Sequence, residues 1–286
     1  GTLNLPSGPV QPVFETGLLI LSSGEALTLD ADLNGVGETQ LRSDVSVDYT
    51  GTIPVAQKFL IGGLVVGETT PRATIRSSGA FSYAVSVNTR IDAERLIVEA
   101  GEDIAISSDA AIMFVGGSLT TQTGRAISIL AGGSIELGSM TLTAPGGAVT
   151  LTAQNSGRIV LGYTGLLTAD SVTATASGRI QLSTNVNTIQ AQLTGAGDVV
   201  VQETDTVDLM GVNAANGTVA ATAGGTLTVT NVVAGGNVIL TSLTGDVVLG
   251  SIQTNMTTGV IHAGASSGAI RAAASNFQLS GASANF

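Results

Sequence analysis

Apolar and polar residues alternate in short runs along this chain, and no stretch sustains the i, i+3, i+4, i+7 pattern of an amphipathic helix. Runs such as LLILSS, EALTLDA, YAVSVNT and ERLIVEA before position 100, and GRIVL, GNVIL and GDVVL further on, carry the two-residue period of strands. The alternation assigns faces. In GDVVLGSI, Val247 and Leu249 share one side and Val248 takes the other; in GTLTVT, Leu227 and Val229 point inward while Thr226, Thr228 and Thr230 point to water. Outward rows of Thr and Ser, neutral and partly β-branched, suit a pleated surface.

The strand phrases repeat. Glycine followed by alternating apolar residues begins at Gly157, Gly178, Gly197, Gly217 and Gly236, so the numbering advances by 21, 19, 20 and then 19. A second frame runs Gly225, Gly245 and Gly268, in steps of 20 and 23. Periods of this size mark a solenoid, in which one repeat is one coil that buries its apolar face only by stacking on the next. The fold class is therefore all-β, a parallel β-helix with coils of about 16–21 residues. Gly101, Gly117 and Gly133, spaced by 16 and 16, predict short coils that lengthen to about 20 further along. About 14 coils at about 4.8 Å each would give a rod of roughly 65 Å. Glycine is expected at the corners, where φ > 0 is cheapest without a Cβ.

Regularity changes near residue 100. Five of the six prolines (Pro6, Pro9, Pro12, Pro54 and Pro71) and the only lysine, Lys58, lie before it. Residues 1–17 read as an extended Pro-rich arm or linker, 18–100 as less regular β-rich N-terminal coils or a cap, and 101–286 as parallel β-helix repeats. A linker-like start and the uncharged end SANF make a piece of a longer protein the expectation.

Composition narrows the class. There is no Trp, there are four Met, and aromatics are 3% of residues, which suits thin stacks of Val, Ile, Leu and Ala better than an irregular globular core. Net charge is −11, spread over both parts, and no basic patch exists to neutralise phosphates, so nucleic acid is not an expected partner. No cysteine is present for disulfides or thiolate metal sites. No apolar run nears the roughly 20 residues of a membrane span, and Phe286 lacks the aromatic girdles of an outer-membrane barrel.

Candidate chemistry is sparse. His262, in GVIHAG, has no Cys or carboxylate beside it in sequence and reads as an outward strand residue rather than part of a triad. Asp103, Asp109, Glu136, Asp170, Asp198 and Asp246 are scattered, and only Glu203, Asp205 and Asp208, in QETDTVD, cluster. That trio is the candidate acid–base site of a carbohydrate-active β-helix. Asp30, Asp32, Asn34 and Gly35 match the first half of a calcium loop; Glu38 could add a ligand, but Leu41 stands where the bidentate carboxylate belongs. Calcium at Asp30, Asp32, Asn34 and Glu38 competes with a plain polar turn. An ice-binding face would need T-x-T on successive coils, and the spacing after Thr230 drifts.

The GxVxL phrases, recurring at steps of 19 to 21 with Thr, Ser, Asn and Ala between them, resemble the repeats of filamentous haemagglutinin-like bacterial exoproteins and related adhesins over about 101–286. The resemblance implies a right-handed parallel β-helix, secretion to the bacterial surface or the extracellular space, and a role as stalk, adhesin or filament. The N-P-N-G-I-like phrase of those exoproteins' secretion domain is absent, and no catalytic residue carries over. Two function classes follow. One is a non-enzymatic structural or adhesive segment that self-associates end to end or through its N-terminal arm, or binds a host or neighbour cell-surface ligand. The alternative is a polysaccharide lyase, hydrolase or tailspike-like depolymerase.

Overall fold

The computed structural model describes residues 18–30, 38–51, 58–62, 70–77, 81–85, 93–100, 104–108, 111–162, 164–273 and 277–286. The arm expected at 1–17 lies outside them. Among the described residues there is no helix, and parallel strands stack into a β-solenoid of about 10 turns with a less regular N-terminal part. At about 4.8 Å per turn the stack rises roughly 48 Å, not 65 Å.

Three columns of inward side chains form the core. The first runs Ile112, Ile135, Ile159, Ile180, Val199, Val219, Val238 and Ile261, each in register with the next. The second runs Val98, Leu119, Leu142 and Leu167. The third runs Ile104, Ile127, Val149, Val172, Ile189, Leu209, Val229 and Leu249, and beyond a register shift Ala191, Val212, Val232 and Ile252 form a row beside it. All these side chains are buried. Burying each Val, Ile or Leu contributes about 1.5–3 kcal/mol, so stability accumulates turn by turn.

The expected faces hold. Val247, Leu249, Leu227 and Val229 are buried, whereas Thr226, Thr228, Thr230 and Val248 face outward and are partly or fully exposed.

The coils do not lengthen steadily to about 20: they start longer, fall to 17 between Val172 and Ile189, and return to 23 between Val238 and Ile261. From Ile104 to Ile127, and from Ile112 to Ile135, the step is 23, and from Ile135 to Ile159 it is 24. Ile180 to Val199 is 19, Val199 to Val219 is 20 and Val219 to Val238 is 19. Before residue 100 the steps are uneven, from 20 at Leu27 to Val47 to 26 at Val47 to Ala73. These longer turns make the total about 10 rather than 14. The even spacing of Gly101, Gly117 and Gly133 misleads because Gly117 lies inside the strand Ile112–Thr121, opposite Met140, while Gly133 precedes the next coil's first column. It measures a passage between columns, not a full turn.

The reason for glycine at the corners also differs. Of the eight glycines in the two later frames, only Gly197 has a positive φ, a nearly extended 159°. The requirement comes from stacking: Gly178 N–H donates to the Gly157 carbonyl at 2.8 Å, and a Cβ on Gly217 would fall on the Gly197 carbonyl oxygen. Adjacent coils approach too closely there for a side chain pointing along the stack.

Candidate functional site

Corner chemistry accounts for most of the polar side chains that alternation leaves unassigned. Ser43 Oγ donates to the Glu25 carbonyl one coil below at 2.7 Å and accepts the Val45 and Ser46 N–H groups, each at 3.1 Å. Ser242 repeats the device, donating to the Gly225 carbonyl at 2.7 Å and accepting Gly245 N–H at 3.0 Å. Thr254 donates to the Gly236 carbonyl in the same way. A short hydroxyl satisfies turn groups here that no ladder partner reaches.

The scattered carboxylates work between coils. Asp198 Oδ1 accepts Thr218 N–H and Asp246 Oδ1 accepts Ala269 N–H, both at 2.8 Å. Asp246 Oδ2 also pairs with Arg271 at 2.7 Å. Asp208 accepts the Thr230 hydroxyl at 2.9 Å, Asp170 accepts from Asn187 at 2.8 Å, and Glu136 pairs with Arg158 at 2.7 Å. Each bond joins one coil to its neighbour. Asp103 and Asp109 lie outside the described residues.

The QETDTVD trio does not converge. Glu203 ends the strand Val199–Glu203 with its side chain turned into the core, Asp205 stands exposed on the following turn, and Asp208 points outward from the strand Val207–Ala214. His262 is exposed on the strand Val260–Ala265, its Nδ1 3.5 Å from Asn285 Nδ2. Among the described residues no three His, Asp or Glu side chains are grouped to hold a metal ion. Of the calcium candidate, Asp32, Asn34 and Gly35 lie outside the described residues; Asp30 closes the strand Leu27–Asp30 and Glu38 opens Glu38–Ser43.

Among the described residues one carboxyl group is buried in the stack. Glu203 is only 5% exposed, and its Oε2 accepts Val186 N–H from the coil below while Oε1 accepts Asp205 N–H in its own turn, both at 3.1 Å. Burial pushes its carboxyl above the usual range, outweighing the hydrogen bonds that favour the charged form. The Thr184 hydroxyl, in register beneath it, is fully buried and makes no hydrogen bond of good geometry. Thr184 carries no motif and is invisible to sequence reading. The inward place of Glu203 was readable, because Val199, Val201 and Glu203 share one parity.

No family model, curated protein or solved structure matches the chain. Of what the repeat phrases imply, the parallel β-solenoid is present in the structure. No described helix is long and apolar enough to cross a membrane.

Proposed function

We propose that the chain is a non-enzymatic structural or adhesive segment of a secreted bacterial surface protein, a stiff β-solenoid that sets distance and presents its faces. The observation that carries this reading is the employment of the acidic side chains: Asp198, Asp208 and Asp246 each bond the coil above, and Glu203 the coil below. Two carboxylates aimed at one scissile bond would instead face each other across an open groove. The outward third column supports an adhesive surface: Ser128, Thr150, Thr173 and Gln190 follow one another in register and are uncharged and at least partly exposed.

Self-association fits the first and last described turns. Leu19 and Leu21 at one end, and Ile270 and Leu279 at the other, are only partly covered, and the strand edges beside them suit addition of a further parallel coil. Such a contact is heterologous and propagates in a line.

Negative-stain electron microscopy with sedimentation velocity, with and without calcium, tests the assignment together with a panel of neutral and acidic polysaccharides. Rods of roughly 48 Å or linear multiples of them, without turnover, are expected. Polysaccharide cleavage abolished by Asp205→Asn with Asp208→Asn would replace it with an enzymatic reading.

A further inference from the structure

The buried Glu203 ends a strand that stops short of the strand in the coil below it. In the wide coils the chain crosses three columns per turn, as the single strand Ile135–Ala153 does. The strand Ile180–Leu193 still crosses all three, with Thr184 over Leu167 and Val186 over Ala169 in the second column. The next coil keeps only part of that column, which runs on from Thr184 through Glu203, Ala223 and Ser242 but has no strand residue above Val186. Its strand ends at Glu203, directly above Thr184, a turn follows at 204–206, and pairing resumes with Asp208 above Thr188. Val186 therefore meets no strand above it, and the Glu203 carboxyl takes its N–H instead. The side chain replaces the missing strand.

We propose that Glu203 is a proton-operated joint at the turn 204–206: neutral, it completes the ladder where the strand above Val186 gives way to that turn; ionised, it puts a charge without a counter-ion into the stack and loosens Val186 and the turn. The surroundings give that charge no counter-ion. Neither the strand Ile180–Leu193 below nor Val219–Ala223 above contains an ionisable residue. The charged groups nearest to it along the chain are Asp205 and Asp208, both acidic. The Thr184 hydroxyl leaves an acceptor on the same buried side, and a carboxyl proton is a donor suited to it. The backbone N–H donors of Asp205, Val186 and Thr204, and the Thr184 hydroxyl when it donates, pull the other way, toward the carboxylate, and burial outweighs them.

The sign follows. A carboxyl that holds its proton more tightly in the fold gives stability that is complete below the ordinary glutamate range, near 4.5, and is lost as pH rises through its raised value. The rod is locked in mild acid and hinges at the turn 204–206 as the medium turns neutral.

The test compares thermal unfolding of the unaltered chain and Glu203→Gln, a neutral isostere, between about pH 4 and about pH 8. Glu203→Gln should gain on the unaltered chain as pH rises, by on the order of 2–4 °C in midpoint. A midpoint difference that stays constant across the range, or reverses, overturns the proposal. Because the variant could fold poorly, a carboxyl titration by NMR of the unaltered chain labelled with 13C-glutamate gives an independent reading. One glutamate should titrate above the others, with exchange at the Val186 and Asp205 amides speeding up beyond the intrinsic pH effect in the same interval. All glutamates titrating together in the ordinary range would contradict it.

Discussion

The wide coils over residues 104–176 and the narrow coils over 199–253 follow one inward-facing rule with different side chains. The wide core is lined by Ile104, Ile106, Leu119, Ile127, Ile129, Ile135, Leu137, Met140, Leu142 and Leu167. The narrow core is lined mainly by Val199, Val201, Val212, Ala214, Val219, Ala221, Ala223 and Val232, with longer side chains at Leu209, Leu227, Leu240, Leu249 and Ile252. The second column runs on into the narrow coils, but through Ala223 and Ser242 where the wide coils carry Leu119, Leu142 and Leu167. Coil length and side-chain volume change together, as close packing requires. Width is therefore written in residue size, and the corner glycines and staples are indifferent to it.

The hardest way to break this comparison is to put charge into either stack. Val247→Asp buries a carboxylate with no partner and should cost on the order of several kcal/mol or unfold neighbouring coils, measured by denaturant titration. A loss under about 1 kcal/mol would mean the faces are reversed. Next in size is a pair of volume changes that probe the two regions from opposite directions. Leu142→Ala opens a cavity in the wide core and should cost about 2–5 kcal/mol. Ala221→Leu overfills the narrow core and should cost about 1–3 kcal/mol. A stabilising Ala221→Leu would show that the narrow coils hold unused space. The smallest contrast is between two glycines. Gly217→Ala drives a methyl into the Gly197 carbonyl and should cost about 1–3 kcal/mol, whereas a Cβ at Gly211 meets nothing within 4 Å and Gly211→Ala should stay within about 0.5 kcal/mol.

The repeat and the inside-outside alternation were legible in the sequence because they depend on local parity, and GTLTVT and GDVVL carry it without help from distant residues. The stacking of Gly157, Gly178, Gly197, Gly217 and Gly236 before successive first-column strands was legible for the same reason. The width of the coils was not. It depends on how many residues a turn spends between inward rows, and a strand such as Ile135–Ala153 passes through all three columns with its bends marked only weakly in sequence, so the interval between Gly117 and Gly133 mimics a turn. The site was legible only as a cluster of letters. Glu203, Asp205 and Asp208 are neighbours in the chain, but the turn at 204–206 sends them inward, to the corner and outward. What Glu203 does depends on Val186 and Thr184, which only stacking brings to it.

The central claim, one continuous stack whose step between partners is longer around Thr150 than around Thr228, is tested most directly by paired cysteines, since the chain has none of its own. Parallel partners lie about 4.8 Å apart, within the span of a disulfide. Thr150→Cys with Thr173→Cys should oxidise to an internal disulfide in the wide coils, because these two positions are register partners there. Thr228→Cys with Val248→Cys should do so in the narrow ones, where the step between partners is shorter. Cross-linking of Thr150→Cys with Asp170→Cys instead, or of Thr228→Cys with Ser251→Cys, would place the long and short coils the other way round and contradict the account.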